Sequence, residues 1–378
     1  MKTLSRLACA LVVATLALAP VWAAKKKKKD EEPVTQTLEV LPDPPVTIKA
    51  EVGRMLFNTA PLTNKGLLSQ QVRDSVKALW RLNQGATIVK LRALVAGTGD
   101  LRRVSAIVSE MFAEKKLALP VVSTVQVGGL PMEGAQVVLE AISISKRSTN
   151  PDGVAFISGK GASAKIDPDK PNLRVTPLVM QALKDFHTAL DGVQTTTDEV
   201  LRMTCFVSSL EDASEAQQLI AREYPRAAVT YAQTQRAPDA SVAECEGIAR
   251  LKSAPTGKWK VVNPPALRSS PAFSQLAVTG PGRVLLTGTQ LAFRSQDADV
   301  KLAFDRMGQQ LEQAGTSMKN VFWSGVYSLS RTATDKIRAV RFDYYDKANP
   351  PASTLMQFEG LPSLDASFAL EVIAGLPE

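Results

Sequence analysis

From residue 46 onward, two hydrophobic periods alternate along the chain, and the order in which they do so occurs three times. The clearest stretch is Leu119–Ile144, LPVVSTVQVGGLPMEGAQVVLEAISI, in which the runs Val121–Val127 and Ala135–Ile144 flank Gly128-Gly129-Leu130-Pro131. Val, Thr and Ile suit a pleated, half-buried surface, and Gly and Pro interrupt it, so the stretch predicts strand, turn and strand. Weaker copies lie at Ala228–Ala249 and Pro351–Ala374.

The residues ahead of each copy repeat an order too. In the first unit Met55-Leu56-Phe57 predicts a strand, and Val72, Val76 and Leu79 recur at helical spacing until Gly85. Thr87–Ala96 (TIVKLRALVA) predicts a second strand. After Gly97-Thr98-Gly99-Asp100 comes a helix with Leu101, Val104, Val108 and Met111 on one face. Two glycines make a weak phosphate loop, and Asp100 reads better as a helix N-cap. In the second unit Val154–Gly159 is the early strand, and Thr176 and Pro177 open a helix carrying Val179, Leu183, Phe186 and Leu190. Val200–Ser208 is the middle strand and Ala213–Arg222 the next helix. The third unit has strands at Arg283–Gly288 and Val321–Ser328. Its helical stripe is Val300, Phe304, Met307 and Leu311, with a second helix over Asp335–Tyr345.

Aligning Lys90 with Arg202 and Trp323 gives offsets of 112 and 121 residues, too long for a solenoid and suited to a small α+β domain repeated three times. The expected domains are residues 46–147, 148–253 and 264–378. A signal peptide is expected over 1–24: Lys2 and Arg6 precede the apolar run Leu7–Leu18, and Val21-Trp22-Ala23 or Trp22-Ala23-Ala24 offers a cleavage site. Residues 25–45, with Lys25–Lys29, Asp30-Glu31-Glu32 and several prolines, read as a disordered leader. The expectation is an exported protein, periplasmic or secreted.

Charge narrows the partners. The whole chain has 45 basic and 37 acidic residues; without Lys2, Arg6, Lys25–Lys29 and Asp30-Glu31-Glu32, 38 and 34 remain. So small an excess excludes a dedicated nucleic-acid binder. Membrane association is expected at most through Lys25–Lys29. Cys205 and Cys245 form no metal-binding or redox motif, and either a disulfide or two buried thiols suits them. No metal or cofactor is implied. The one histidine, His187, sits on a helix pattern, which gives a Ser-His-Asp or Cys-His hydrolase little support.

The order ββαβαββ, with a Pro-x-x-Ser-Thr strand, a Leu-Pro turn and a closing Glu-x-Ile-Ala strand, resembles the Rid family (RidA/YjgF-like). Unit one carries the likeness in Pro120, Ser123, Thr124, Leu130, Pro131, Glu140 and Ala141. Unit three carries it in Pro271–Val278, Leu285–Gln290, Pro350, Ser353, Thr354, Leu361 and Pro362. Unit two keeps Phe156–Gly159, Asp198–Val207 and Glu244–Ala249. The resemblance implies chorismate-mutase-like α+β domains, which here would form an intramolecular pseudo-trimer from a single monomeric chain.

It also implies hydrolysis of reactive enamines and imines in clefts between neighbouring units. The arginine that would hold a substrate carboxylate is replaced by Val122, Val229 and Ala352, which removes an interaction worth roughly 1.5–3 kcal/mol. The carboxylate that would position water is Val138, Glu244 and Ala369 in the three units, so only Glu244 remains as a catalytic candidate. Phe273 corresponds to a cleft-lining aromatic, and Arg226 would enter a cleft if the strand register shifted. The expected function is therefore non-catalytic binding of a small ligand or a protein partner. The alternative is an imine/enamine deaminase with altered substrate recognition; ribonuclease activity is disfavoured by the near-neutral body.

Overall fold

The computed structural model describes residues 41–97, 99–167, 169, 174–235 and 239–377. The signal-like segment and most of the leader lie outside them. The first part of the chain forms β1 (Thr47–Glu51), β2 (Met55–Thr59), α1 (Leu68–Leu82), β3 (Thr87–Ala96), α2 (Arg102–Glu114), β4 (Val121–Val127) and β5 (Val137–Ile144). Then come β6 (Val154–Lys165), α3 (Thr176–Asp191), β7 (Val200–Val207), α4 (Ala213–Glu223), β8 (Ala228–Gln233) and β9 (Ala240–Arg250). The last part has β10 (Trp259–Val262), β11 (Leu276–Thr279), β12 (Arg283–Thr287) and β13 (Gln290–Phe293). It continues with α5 (Asp297–Gln313), β14 (Val321–Ser328), α6 (Arg331–Tyr344), β15 (Ala352–Gln357) and β16 (Ala366–Gly375).

Three sheets result: β2-β5-β3-β4, β10-β11-β6-β9-β7-β8 and β1-β12-β16-β14-β15, with β13 also on β16. The two strands of Leu119–Ile144 do not pair with each other; both flank β3, β4 in parallel and β5 antiparallel. A helix pair buries its apolar stripe on one face of each sheet, as with Val72, Val76, Val104 and Val108 against Leu91, Ala93 and Leu139. Helix starts differ from expectation where a distant or earlier group supplies the cap. Asp212 accepts from the Val175 and Thr176 amides at 3.0 and 2.7 Å to open α3. Ser330 caps α6 through the Ala333 amide at 3.1 Å, so this helix begins at Arg331 rather than Asp335.

Side chains alternate across a strand, so the closing strands β5, β9 and β16 each send every second residue inward. Ile142, Ile248 and Ile373 fall in one shared apolar cluster with Phe156, Phe322 and Trp323. Two residues earlier stand Glu140, Glu246 and Glu371, all buried. Two residues earlier again, Val138 and Ala369 join a second apolar cluster with Phe206, Tyr327 and Phe358. The corresponding residue of β9 is Glu244. The interior is thus layered: apolar, ionic, apolar, with one carboxyl out of pattern.

The first strand of a unit does not stay with its own sheet. β1 and β2 are three residues apart, yet β1 pairs with β12, Thr47 opposite Thr287, while β2 pairs with β5. Likewise β11 lies on β6, Thr279 opposite Val154, although only Gly280-Pro281-Gly282 separates it from β12. β10, from the segment between the second and third expected domains, extends the same sheet. The corners meet: the Val52 and Gly53 amides donate to the carbonyls of Gly282 and Pro281, and those of Thr149 and Asn150 to Gly53. Gly153 packs so tightly there, at φ +93°, that a Cβ would sit 1.9 Å from the Thr279 oxygen.

Cys205 and Cys245 lie opposite each other on β7 and β9 and are joined in a buried disulfide spanning 40 residues. Closing that loop limits the unfolded chain, so Cys205→Ala with Cys245→Ala should lower the unfolding free energy by about 2–4 kcal/mol. Urea midpoints of the oxidised and double-variant proteins provide the comparison; equal midpoints would count against the bridge as a stabiliser.

Candidate functional site

The ionic layer is built from all three sheets. Arg92 donates from Nε to Glu140 at 2.6 Å, from Nη1 to Glu246 at 2.6 Å and from Nη2 to the Thr204 hydroxyl at 2.9 Å. Lys90 donates to Glu371 at 2.8 Å and to the Thr287 carbonyl at 2.5 Å. Glu371 also accepts from the hydroxyls of Ser123 and, at 2.7 Å, Tyr327. Arg202 stands 3.7 Å from Glu140. Three buried carboxylates therefore face three buried cations. Burial would raise the pKa of Glu140, but Arg92 and Arg202 outweigh it and hold the carboxyl at about 2. Burial opposes ionisation of Glu371 as well, and Lys90 and Arg92 win, keeping it below the usual range. A buried set of this kind, in which Arg202 Nε and Glu246 Oε2 alone lack a partner among the described residues, fixes the relative position of three sheets and offers no open place for a reactant.

Junctions between the sheets surround this layer. The edge strand β8 meets β2, with the Thr59 and Thr230 hydroxyls 3.2 Å apart. β4 meets β12, where a Cβ on Gly288 would sit 3.0 Å from the Val122 carbonyl. β15 meets β6 and β11, through the Gly159 amide donating to the Thr354 hydroxyl at 3.1 Å and the Ser274 amide to Pro351 at 3.1 Å.

Pairing with the middle strands corrects the position assigned to Ala352. Val122 lies beside Leu91 and Val229 beside Met203, whereas Ala352 lies beside Trp323 and Ser353 beside Ser324. The ring glutamates agree, since Arg92, Thr204 and Gly325 are the partners of Glu140, Glu246 and Glu371. Ser353 is thus the residue in register with Val122 and Val229. The tandem prolines 350 and 351 allow the alignment to slip by one, and Pro351 is the one that corresponds to Pro120. The Ser353 hydroxyl is buried and engaged with Ser324 at 3.0 Å. Val122 and Val229 are packed against helix-side cores.

Val138 and Ala369 are buried in the shared apolar cluster, so no carboxyl faces those junctions at these positions. Phe273 is half-buried ahead of β11, and Arg226 is exposed in the turn before β8. Glu244 differs from all of them. It lines a cavity of about 540 Å³ between β6–β9 and β15–α6, with Arg331 and Arg338 on the opposing helix; Arg226 is not among the lining residues. Glycine at 159 makes room for it, because a Cβ there would fall 1.9 Å from Glu244 Oε1. Burial and the neighbouring Glu246 push its pKa up to about 8, against the pull of Lys160 and Arg338. Nearby, the Lys160 ammonium is buried and donates to the Ser158 hydroxyl and to Gln275 O and Oε1 at 2.8, 2.8 and 2.6 Å.

The raised pKa has a measurable sign. Folding binds the Glu244 proton more tightly than the unfolded chain does, so the folded state loses stability as pH rises from about 4.3 through 8. Glu244→Gln removes that loss. Its melting temperature should exceed the wild type's at pH 8.5 by about 2 °C or more and match it at pH 4; a constant difference across pH would show that Glu244 is not the titrating group.

His187 is exposed on α3 with Nδ1 3.4 Å from Asp191. Among the described residues no cluster of His, Cys, Asp and Glu could hold a metal, and no helix is long and apolar enough to cross a membrane. Sequence reasoning missed the burial of Lys90, Arg92 and Arg202, although charged residues inside otherwise apolar strand runs were a visible signal. It also missed Arg331 and Arg338, which nothing in their helix distinguishes.

No protein-family profile and no curated protein matches the chain. Among solved structures, similar ones include the Rid protein YyfB from Yersinia pestis, 21% identical over 32% of this chain and 100% of that one, with a TM-score of 0.30. RidA from an Antarctic Psychrobacter is 20% identical over 25% of this chain and 80% of its own, at a TM-score of 0.23. A YjgF-family protein from Mycobacterium tuberculosis is 17% identical over 26% and 83%, also at 0.23.

Proposed function

We propose that the chain is a Rid-like protein whose three ββαβαββ units form an intramolecular pseudo-trimer, and that it binds a small ligand in one interdomain cleft without turning it over. The observation that carries this reading is the unequal fate of one inward position: Val138 and Ala369 are buried in apolar packing, whereas Glu244 borders a cavity of about 540 Å³. That volume falls within the range of small-molecule sites. The repeated register of Glu140, Glu246 and Glu371 opposite the middle strands supports the threefold arrangement. Export to an oxidising compartment, periplasmic or secreted, is part of the proposal and is supported by the Cys205–Cys245 bridge and the signal-like first 24 residues. The reading includes no nucleic-acid partner, because the body carries little excess charge.

A second reading, a hydrolytic deaminase of enamines or imines, draws on Glu244 itself. A carboxyl with a pKa of about 8 keeps its proton at neutral pH and can deliver it to a leaving amine. The two readings part on one assay: the purified protein with freshly generated 2-iminobutanoate. Binding without turnover above the uncatalysed rate is the expected result. Turnover that disappears in Glu244→Ala would replace the first reading with the second.

A further inference from the structure

The cavity beside Glu244 has walls of opposite chemistry. On α6, Arg331, Thr334 and Arg338 fall at positions i, i+3 and i+7 and so share one face, and all three line the space. Arg331 is the first residue of the helix, where unpaired amides add positive potential. The Thr334 hydroxyl, 5% exposed as a residue, has no hydrogen-bond partner among the described residues. A buried polar atom left unpaired beside a cavity costs free energy unless something in the cavity satisfies it. Across the gap, on and just before β9, stand the carboxyls of Asp239 and Glu244. Leu355 and Met356 of β15 supply an apolar strip between the two polar walls.

We infer that this cavity receives a zwitterionic amino compound, a free amino acid or short peptide with an apolar side chain, its carboxylate on the α6 face and its ammonium on the Asp239 carboxylate, with the carbonyl oxygen of the Glu244 carboxyl as a further acceptor. The inference rests on the reading of the cavity as a ligand site. An anion alone would leave the Asp239 carboxylate without a counter-charge, and a cation alone would leave the Arg331 guanidinium unmatched, whereas Arg338 already has Asp335 at 3.5 Å on its own helix. Guanidinium groups suit a carboxylate because they can present two parallel donors. Leu355 and Met356 then favour an aliphatic or thioether side chain over a charged one.

Isothermal titration of the intact protein with L-leucine, L-methionine and L-leucyl-L-leucine tests this. Each should bind at a single site. N-acetylation and C-amidation should each weaken binding at least tenfold, as should Arg331→Ala with Arg338→Ala, whose exposed side chains can be removed without loss of fold by circular dichroism. Thr334→Val serves as a second, gentler variant, with a loss of several-fold expected. Blocked and free forms binding within threefold of one another would overturn the inference, as would full competition by acetate alone. Ala162→Trp, which fills the cavity, separates the two levels of the argument. If indole or benzamide binds the wild type and not Ala162→Trp while the amino compounds fail to bind, the zwitterion inference falls and the ligand site stands. If the amino compounds bind Ala162→Trp as well as wild type, the cavity is not where they bind and both fall.

Discussion

Replacing Arg92 with Met is expected to cost about 3–5 kcal/mol of folding stability, the usual penalty for removing one partner of a buried ion pair. Among the described residues, Arg92 is the one side chain that joins the carboxylates of two sheets, Glu140 and Glu246, and it also holds Thr204. Without it, Arg202 at 3.7 Å is the cation left beside Glu140, and Glu246 Oε2 already has no partner among the described residues. Met fills much of the same space, so the loss reports on charge more than on volume. The pH dependence identifies the cause. In the wild type the Glu140 pKa is depressed to about 2, so its contribution is present above the free-carboxyl value near 4.3 and is lost as pH falls toward 2. Arg92→Met removes the cation that depresses it, and the acid limb of the stability curve should flatten below pH 5. Urea unfolding between pH 3 and pH 7 checks both statements. A variant within about 1 kcal/mol of wild type at pH 7 would mean that the ionic layer does not hold the sheets together.

Cutting the chain after residue 253 should abolish folding altogether. The remaining segment keeps most of the first two sheets, but it loses β11, the neighbour of β6, and β12, the partner of β1. It also opens both apolar layers, since Phe322, Trp323, Ile373, Tyr327 and Phe358 belong to the missing part. Glu371, the partner of Lys90, goes with them. A 41–253 fragment is expected to show no cooperative urea transition, whereas the intact body unfolds in one. A sigmoidal transition from the fragment, with a slope in keeping with its length, would contradict this account of the strand exchange.

Much of this arrangement is legible in the sequence because period-2 and helical patterns are local properties. The strand β4, the helix pairs and the middle strands follow from runs such as TIVKLRALVA and from stops such as Gly85 and Gly315, both at positive φ. The destination of β1 is not legible, because pairing with β12 depends on a surface more than two hundred residues away. The α6 arginines escape for a related reason. Exposed charges on a helix are ordinary, and only the packing of β15 against β6 gives these two something to face. The slip at Ala352 is of another kind: with prolines at both 350 and 351, only backbone pairing decides that Ser353 is the residue in register.

The exchange of first strands also sets a timetable. β1 leaves the ribosome early, but Thr287, the partner of Thr47, follows 240 residues later. At about 5–20 residues per second that is a wait of roughly 12–48 s, long compared with microsecond hairpin closure. Throughout that interval the edge of β1 has no partner, and the sheet containing β6 lacks β11 for about half as long, Thr279 following its partner Val154 by 125 residues. The body therefore cannot be completed unit by unit as it is made; the strand synthesised first must wait for nearly the last part of the chain before its sheet can close.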